Sequence, residues 1–399
     1  MRKDGAIVKS EAEKGSAAGQ ISVAVLGAGH GGLALAGDLG RMGFEVTLFS
    51  FFPAELAPVR ERGGVELSGQ ISGFGQIAQV VDSVAEAAAA AELLLIVAPA
   101  VAHQTYASLL ASGLRDGQTV VLNPGRTGGA LEFDRALVRF GCRADIRLAE
   151  AQTFIFAAES RGPAAVEILY EKDVLRVAAL PASDNADVSA ILRGLYPQIE
   201  PAESVLETSV NNVGGVVHPA AMLLNTAALE RSAAGDDVRF YKHQVNRHIA
   251  SLVMEKVDAE KGAIGHALGL GDVWTILDWY RASYGVTGET LFEVLQNHPY
   301  YAGFHSPTHL LGYNHIPDEV PNSLVPLVSL GEALDVPTPA MRTLVDLACV
   351  MTDVDWWSEG RTVASLGLDG MTPEEMRDFV AHDSRRSRWL RAPLAGEPH

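Results

Sequence analysis

The sequence predicts an α/β amino-terminal half built on a doubly wound parallel sheet, followed by an all-α carboxyl-terminal domain. Three observations carry this expectation. First, a β-branched apolar run from Ile21 to Leu26 leads straight into Gly27-x-Gly29-x-x-Gly32, an Ala/Leu-rich helical stretch and a second apolar run, Val46 to Phe49. Second, further short apolar runs at Glu92 to Val97, Thr119 to Leu122 and Ile146 to Ala149 alternate with helical stretches, as strands buried on both faces do. Third, strand patterns stop at about Ser183, and helices broken by Gly and Pro take over. A strand, a glycine turn, a helix and a strand in that order form the context of a Rossmann dinucleotide site.

Each glycine of the first turn has a task. Gly27 permits the tight turn, Gly29 lets a pyrophosphate approach bare backbone, and Gly32 lets the helix pack close to the strand. His30 and Gly31 lie at the helix start, where free N–H groups and the positive end of the dipole favour phosphate. The end of the second strand, Phe49-Ser50-Phe51, carries no carboxylate to hold a ribose 2′-hydroxyl. With Ser50 there and Arg60 and Arg62 downstream, the sequence favours NADP(H), with NAD(H) as the alternative.

Along the chain, Ala54 to Val81 is glycine-rich and reads as small strands or an irregular insertion, and Ser83 to Ala91 as a helix. Ligands lie at the carboxyl ends of such strands, so Pro99 to His103 should border the nicotinamide, with His103 a candidate for contact. Asn123-Pro124-Gly125-Arg126 follows the next strand and fixes another loop at that edge, adding Asn123 and Gly125 to the cofactor set. Arg126 and Arg161 are candidates for holding a carboxylate, and Gln152 and Thr153, just past Ala149, for substrate contact. Phe154 to Arg161 and Ala165 to Ala179 read as alternating strands that complete the sheet.

Beyond them come helices at Asn185 to Tyr196, Val217 to Glu230, Val238 to Gly269, Val273 to Tyr284 and Glu289 to Leu295. Leu324 to Leu334, Pro339 to Thr352 and Pro373 to Ala381 follow, and Pro197 to Ser204 reads as a linker with a short extended piece. The expected division is a disordered tail over 1–20, an NAD(P)-binding domain over 21–185, a helical substrate domain over 186–384 and a flexible tail over 385–399. The apolar face Ala220 to Leu229 is a candidate core or homodimer surface.

Composition narrows the function. A formal charge of −18 over 399 residues argues against nucleic-acid binding. No apolar run approaches the roughly 20 residues of a membrane span, and Met1 to Gln20 lacks the apolar segment of a signal peptide. Cys142 and Cys349, in separate apolar contexts, read as reduced core residues of a cytoplasmic protein. The histidines at 298, 305, 309 and 315 lack metal-site spacing, so no metal is expected.

Chemistry concentrates in two stretches. Asn211-Asn212-Val213-Gly214-Gly215-Val216-Val217-His218-Pro219 gathers two amides, two glycines and a histidine in an apolar setting. His218 suits general acid–base work, with Asn211 and Asn212 near the substrate. Asp318-Glu319-Val320-Pro321 supplies a carboxylate to orient that imidazole.

In order along the chain, NPGRTGGALEF (Asn123 to Phe133), EAQTFIFAAESR (Glu150 to Arg161), NNVGGVVHP (Asn211 to Pro219) and DEVPNSLVPLVSLGEALDVPTP (Asp318 to Pro339) follow the glycine turn. With them the chain resembles the NAD(P)-dependent opine dehydrogenases, the octopine, nopaline and carboxyethyl-norvaline dehydrogenase group, over about Ile21 to Asp353. The resemblance implies that an α-amino acid or related amine condenses with a 2-keto acid and that hydride from NAD(P)H reduces the imine. It carries the family's catalytic histidine onto His218 and its acidic partner onto Glu319, with Asp318 as the fallback. Five residues before the acid, where relatives commonly hold substrate with an arginine, this sequence has Asn314.

Two other readings stay open. A ketopantoate-reductase-like or simple hydroxy-acid dehydrogenase would favour a central lysine, whereas Lys242, Lys256 and Lys261 read as helix-surface residues. A non-catalytic NADP(H) sensor would bind cofactor without turnover.

Overall fold

The structure, a computed structural model, describes residues 21–312 and 314–382. The two expected tails, 1–20 and 385–399, lie outside the described residues. The first half runs β1 (Val23–Leu26), α1 (His30–Arg41), β2 (Val46–Phe49), α2 (Pro53–Arg62), β3 (Gly64–Gly69), β4 (Gly73–Gln76) and β5 (Gln79–Val80). It continues through α3 (Val84–Ala90), β6 (Leu93–Ile96), α4 (His103–Leu110), β7 (Thr119–Leu122), α5 (Gly129–Arg139) and β8 (Arg147–Ala151). Then come β9 (Phe156–Ser160), β10 (Ala165–Glu171), β11 (Leu175–Leu180), α6 (Asn185–Arg193) and β12 (Ile199–Pro201).

Eight of these strands form one sheet in the order β12-β11-β8-β7-β6-β1-β2-β5. The run from β8 to β5 is parallel, while β11 lies antiparallel to β8. β1, β2, β6 and β7 are fully buried, which is why they read as unbroken apolar runs. Strand order reverses beside β1, so a crevice opens at the carboxyl ends of β1 and β6, where the glycine turn lies.

Two sequence expectations need correction here. β9 and β10 do not complete the main sheet. They form a second sheet, β4-β3-β10-β9, with β3 and β4 of the glycine-rich insertion. A methyl group on Gly75 of β4 would overlap the Gly37 backbone of α1, and one on Gly37 would press on Leu67 and Val65 of β3, so this small sheet packs directly on α1. The main sheet also takes its edge strand from Ile199–Pro201, beyond residue 185, through pairing with Leu175–Val177.

The rest of the described chain is helical: α7 (Val205–Val210), α8 (Gly214–Leu224), α9 (Thr226–Ala233), α10 (Glu255–Ala267), α11 (Ile276–Tyr284) and α12 (Leu291–Asn297). α13 (Val325–Ala333), α14 (Pro339–Thr352), α15 (Trp356–Glu359) and α16 (Pro373–Ala381) close it. The fold is thus a mixed α/β half followed by a helical half. The helix expected over Val238 to Gly269 is broken into two wide π-turn segments, Phe240–Gln244 and Ile249–Met254, before α10. Asn225, outside the helical region at φ −139°, ψ 53°, splits the helix expected over Val217 to Glu230. Ala220, Ala221, Met222, Leu223, Ala228 and Leu229 are buried within this chain, so most of the face considered for a homodimer is core, with Leu224 left exposed.

Candidate active site

The glycine turn meets the demands of a phosphate cradle. Gly27 has φ +123°, and a methyl group there would overlap the Val97 carbonyl. A methyl on Gly32 would overlap the Gly27 carbonyl, so only glycine allows α1 to start this close to β1. Gly29 caps α1 with open space above its Cα and no side-chain cap, which leaves the first-turn N–H groups facing the crevice. His30 borders the main cavity, and Gly31 packs against the Phe154 ring. These residues fit a dinucleotide pyrophosphate.

The ribose end differs from its sequence reading. Ser50 Oγ donates to Glu55 Oε2 at 2.6 Å, so the first turn of α2 brings a carboxylate to the end of β2. Arg60 pairs instead with Asp82 and the Val80 carbonyl. Both observations bear against a 2′-phosphate at Ser50, while Arg62, the second arginine of that expectation, is exposed. Pro99 opens the turn after β6, as expected. Asn123 Nδ2 donates to the Val121 carbonyl, and the Gly125 Cα lies too close to Glu150 for any side chain. His103 is not a cofactor contact: it is fully buried, with Nδ1 3.3 Å from Arg361. Burial and then the Arg361 and Arg126 charges push its pKa well below the ordinary range.

A cavity of about 530 Å³ extends from His30 across Pro124, Arg126 and Thr153 to His218 and His315. His218 projects from α8. Its Nδ1 lies 2.9 Å from Glu319 Oε1, and its ring stacks on His315 at 4.3 Å. Glu319 also takes Arg126 Nη1 at 2.7 Å on Oε1 and Ser323 Oγ at 2.7 Å on Oε2. An ionised carboxylate only accepts, so Nδ1 must carry the proton and Nε2 is left for chemistry. Burial pushes Glu319 up, but Arg126, His218 and Ser323 outweigh it and hold the carboxyl below its usual range. The extra methylene of Glu over Asp therefore reaches the imidazole.

Asp318 is turned away from His218. It accepts from Arg126 Nε at 3.0 Å and from the Val101 N–H at 3.3 Å, tying the helical half to the turn after β6. Burial foremost, with the Glu319 charge adding to it against Arg126, leaves its pKa raised. Arg126 itself stands at φ +61°, a conformation that costs a non-glycine residue about 1 kcal/mol or more. It was expected to hold a substrate carboxylate, but its Nε and Nη1 are committed to Asp318 and Glu319. It lines the cavity all the same.

Other expected substrate contacts also turn inward. Gln152 Nε2 donates to the Asn211 carbonyl at 2.6 Å, and Asn211 itself bridges the Asp272 carbonyl and the Trp274 N–H. Asn212 donates to Ser323 Oγ at 2.7 Å and so steadies the hydroxyl that bonds Glu319. Asn314 is exposed and does not line the cavity, whereas Thr153 does. Arg161 at the mouth is paired with Glu159 and Glu167. Lys261, read as a surface residue, is fully buried against Asp258 and the Trp274 carbonyl. Among the described residues no group of three or more His, Cys, Asp or Glu side chains is placed to hold a metal ion.

The two glycines of NNVGGVVHP are explained by this cluster. A methyl on Gly214 would overlap the Glu319 carboxylate and the Arg126 guanidinium, and one on Gly215 would press on Ser323. Gly214→Ala is expected to lower kcat at least tenfold by displacing Glu319 from Nδ1, with nicotinamide affinity unchanged, as steady-state kinetics and cofactor titration will show.

Comparison with known proteins places this geometry. Residues 201–352 match the model of the NAD/NADP octopine/nopaline dehydrogenase alpha-helical domain. An opine dehydrogenase of Arthrobacter sp. (strain 1C) is 35% identical over 358 residues, covering 90% of this chain and 98% of that one. The chain belongs to the opine dehydrogenase family. It is accordingly an NAD(P)-dependent oxidoreductase of the class acting on CH–NH groups. Opine dehydrogenase family structures share the fold. An octopine dehydrogenase in complex with NADH and agmatine superposes with TM-score 0.73 at 19% identity, covering 92% of this chain and all of that one. An NADP⁺-bound yersinopine dehydrogenase gives 0.67 at 14% identity, with 93% and 97% covered.

Proposed function

We propose that this enzyme condenses an α-amino acid or related amine with a 2-keto acid and reduces the resulting imine with NAD(P)H. The observation that carries the reading is the Arg126–Glu319–His218 relay, whose carboxylate is fully buried and whose guanidinium and imidazole line the cavity beside the glycine turn. Bound NAD(P)H supplies the hydride. His218 Nε2 carries one proton from the attacking amine to the carbonyl oxygen, which becomes a hydroxyl, and then, reprotonated to imidazolium from solvent, gives that hydroxyl a second proton as it leaves as water and the protonated imine forms, ready for the hydride. Glu319 stabilises that imidazolium while Arg126 and Ser323 keep the carboxylate fixed. Aromatic walls from Phe240, Tyr241 and Tyr301 exclude water that would hydrolyse the imine.

Two features of the chain support a cytoplasmic setting within this reading. Cys142 and Cys349 are unpaired, and no helix among the described residues is long and apolar enough to cross a membrane. For the cofactor, Glu55 is the discriminating group, since an ionised carboxylate at Ser50 repels a 2′-phosphate. Glu55→Gln is expected to raise the kcat/KM ratio for NADPH over NADH about tenfold, read from parallel steady-state assays.

The reaction itself is tested by its product. Incubation with keto acid, amine and 4-deuterated NAD(P)H should yield a secondary amine whose mass is the sum of the partners less water plus two hydrogens, one of them deuterium. A deuterated hydroxy acid as sole product would overturn the reading.

A further inference from the structure

Lys172 carries an inference of its own. It occupies the turn between β10 and β11, yet it is 3% exposed and lines the same cavity as His218. The turn is pinned from two sides. The Lys172 N–H donates to the Ile155 carbonyl at 3.0 Å and the Asp173 N–H to the Ser283 carbonyl of α11 at 2.9 Å. The side-chain ammonium donates to the Phe154 carbonyl and stands 5.8 Å and 5.6 Å from the ring centres of Trp279 and Tyr284.

No acid neutralises it among the described residues. Glu171 accepts from Gln198, and Asp173 accepts from the Tyr170 hydroxyl. The other cavity cations, Arg126 and Arg161, each hold two carboxylates, so Lys172 differs from both. A buried amine without counter-charge is costly, and burial alone brings its pKa down to about 7. Nearby His298 has no hydrogen-bond partner at either ring nitrogen, and burial followed by the Lys172 charge brings it to about 4. This end of the cavity has positive charge and no acid to answer it.

A continuous aromatic wall joins the two poles. Phe240 lies 6.0 Å from the His218 ring, then Tyr241 4.9 Å from Phe240, Tyr301 4.6 Å from Tyr241, and Tyr284 5.3 Å from Tyr301.

We propose that the Lys172 ammonium anchors a carboxylate of the substrate, the counter-charge that the fold itself leaves out. The proposal rests on the reductive-condensation reading of this site. One N–H is spent on Phe154 and two remain for the ligand. A carboxylate forms charge-assisted bonds there, which a neutral amide or hydroxyl cannot match. Binding the anion requires the ammonium, so affinity for that partner falls as pH rises through neutrality. The other groups facing Lys172 do not titrate there: Tyr284 is pushed well above the ordinary phenol range, chiefly by burial, and His298 lies well below neutrality.

The test is steady-state kinetics of the wild type, Lys172→Met and Lys172→Gln, varying keto acid and amine separately from about pH 6 to 9. KM for one partner should rise at least tenfold at pH 6 with kcat changed less than about threefold, and the partner affected identifies whose carboxylate is held. The wild-type KM should climb above about pH 7, and the variants should lose that climb. Thermal melting should show Lys172→Met as stable as the wild type, since an unpaired buried charge is removed. Both KM values unchanged would overturn the proposal. So would a fall in kcat alone, which would make Lys172 an acid acting on the reacting atoms.

If the wild type turns over no keto acid and amine pair, the condensation reading falls but the site is still read. Calorimetric titration of pyruvate and of L-alanine into wild type and Lys172→Met, each saturated with NADH, then decides. Weaker binding of one of them to the variant supports the anchor; equal binding, or none to either protein, overturns it.

Discussion

His218→Ala is expected to lower kcat by about 10²–10⁴-fold, the range for loss of a positioned general acid–base, while NAD(P)H binding stays as in the wild type. That range corresponds to about 3–5 kcal/mol of barrier. The split follows from geometry. Nδ1 is committed to Glu319, so the only proton the ring can exchange with substrate is at Nε2, and no other group on that wall replaces it: the stacked His315 is held neutral, chiefly by burial, then by the charges of His218 and Arg126. The cofactor cradle depends on Gly27, Gly29 and Gly32, on the other side of the cavity. Single-turnover rates and cofactor fluorescence titration will separate the two effects. An equal loss of cofactor affinity would contradict the assignment.

Glu319→Gln is expected to cost kcat a comparable 10²–10⁴-fold, although it changes shape very little. A glutamine has one acceptor oxygen where the carboxylate has two, and three donors compete for it: Arg126, His218 and Ser323. The guanidinium cannot turn acceptor, so the amide oxygen goes to Arg126 and the NH₂ is left to face the imidazole or Ser323. Facing Nδ1, it forces the proton to Nε2 and removes the base. The variant also leaves buried Arg126 with Asp318 as its remaining acid, so the melting temperature should fall as well. A variant with wild-type kcat would mean that the imidazole works without its acid.

How much of this was legible in the sequence depends on the range of the interactions. The β1 turn was legible because one contiguous segment must supply strand, glycines and helix. His218 and its acid were legible as residue types, and the resemblance put Glu319 ahead of Asp318, but the residues alone left that choice open. It depends on which carboxylate the wide turn Val320–Leu324 aims at α8, and on Gly214 letting the two approach. The second sheet was hidden because Gly64–Gly69 finds its partner about 100 residues later, in Ala165–Glu171. Gln152, Asn211 and Asn212 were misplaced because a buried amide satisfied by backbone looks, in sequence, like an amide waiting for substrate. Lys172 was missed for the converse reason. Glu171-Lys172-Asp173 falls within Ala165 to Ala179, which reads as strands, and only the packing of Trp279, Tyr284 and the Phe154 carbonyl around it makes the lysine interior. The Ser50–Glu55 contact needed the first turn of α2 to fold back on the strand end.

The measurement that bears most directly on the central claim is the initial rate of nicotinamide absorbance loss with a 2-keto acid panel, each assayed with and without an amine panel. The account predicts oxidation that requires both partners and collapses in His218→Ala. Oxidation at the same rate with the keto acid alone would contradict it and make the enzyme a hydroxy-acid dehydrogenase on an opine dehydrogenase scaffold.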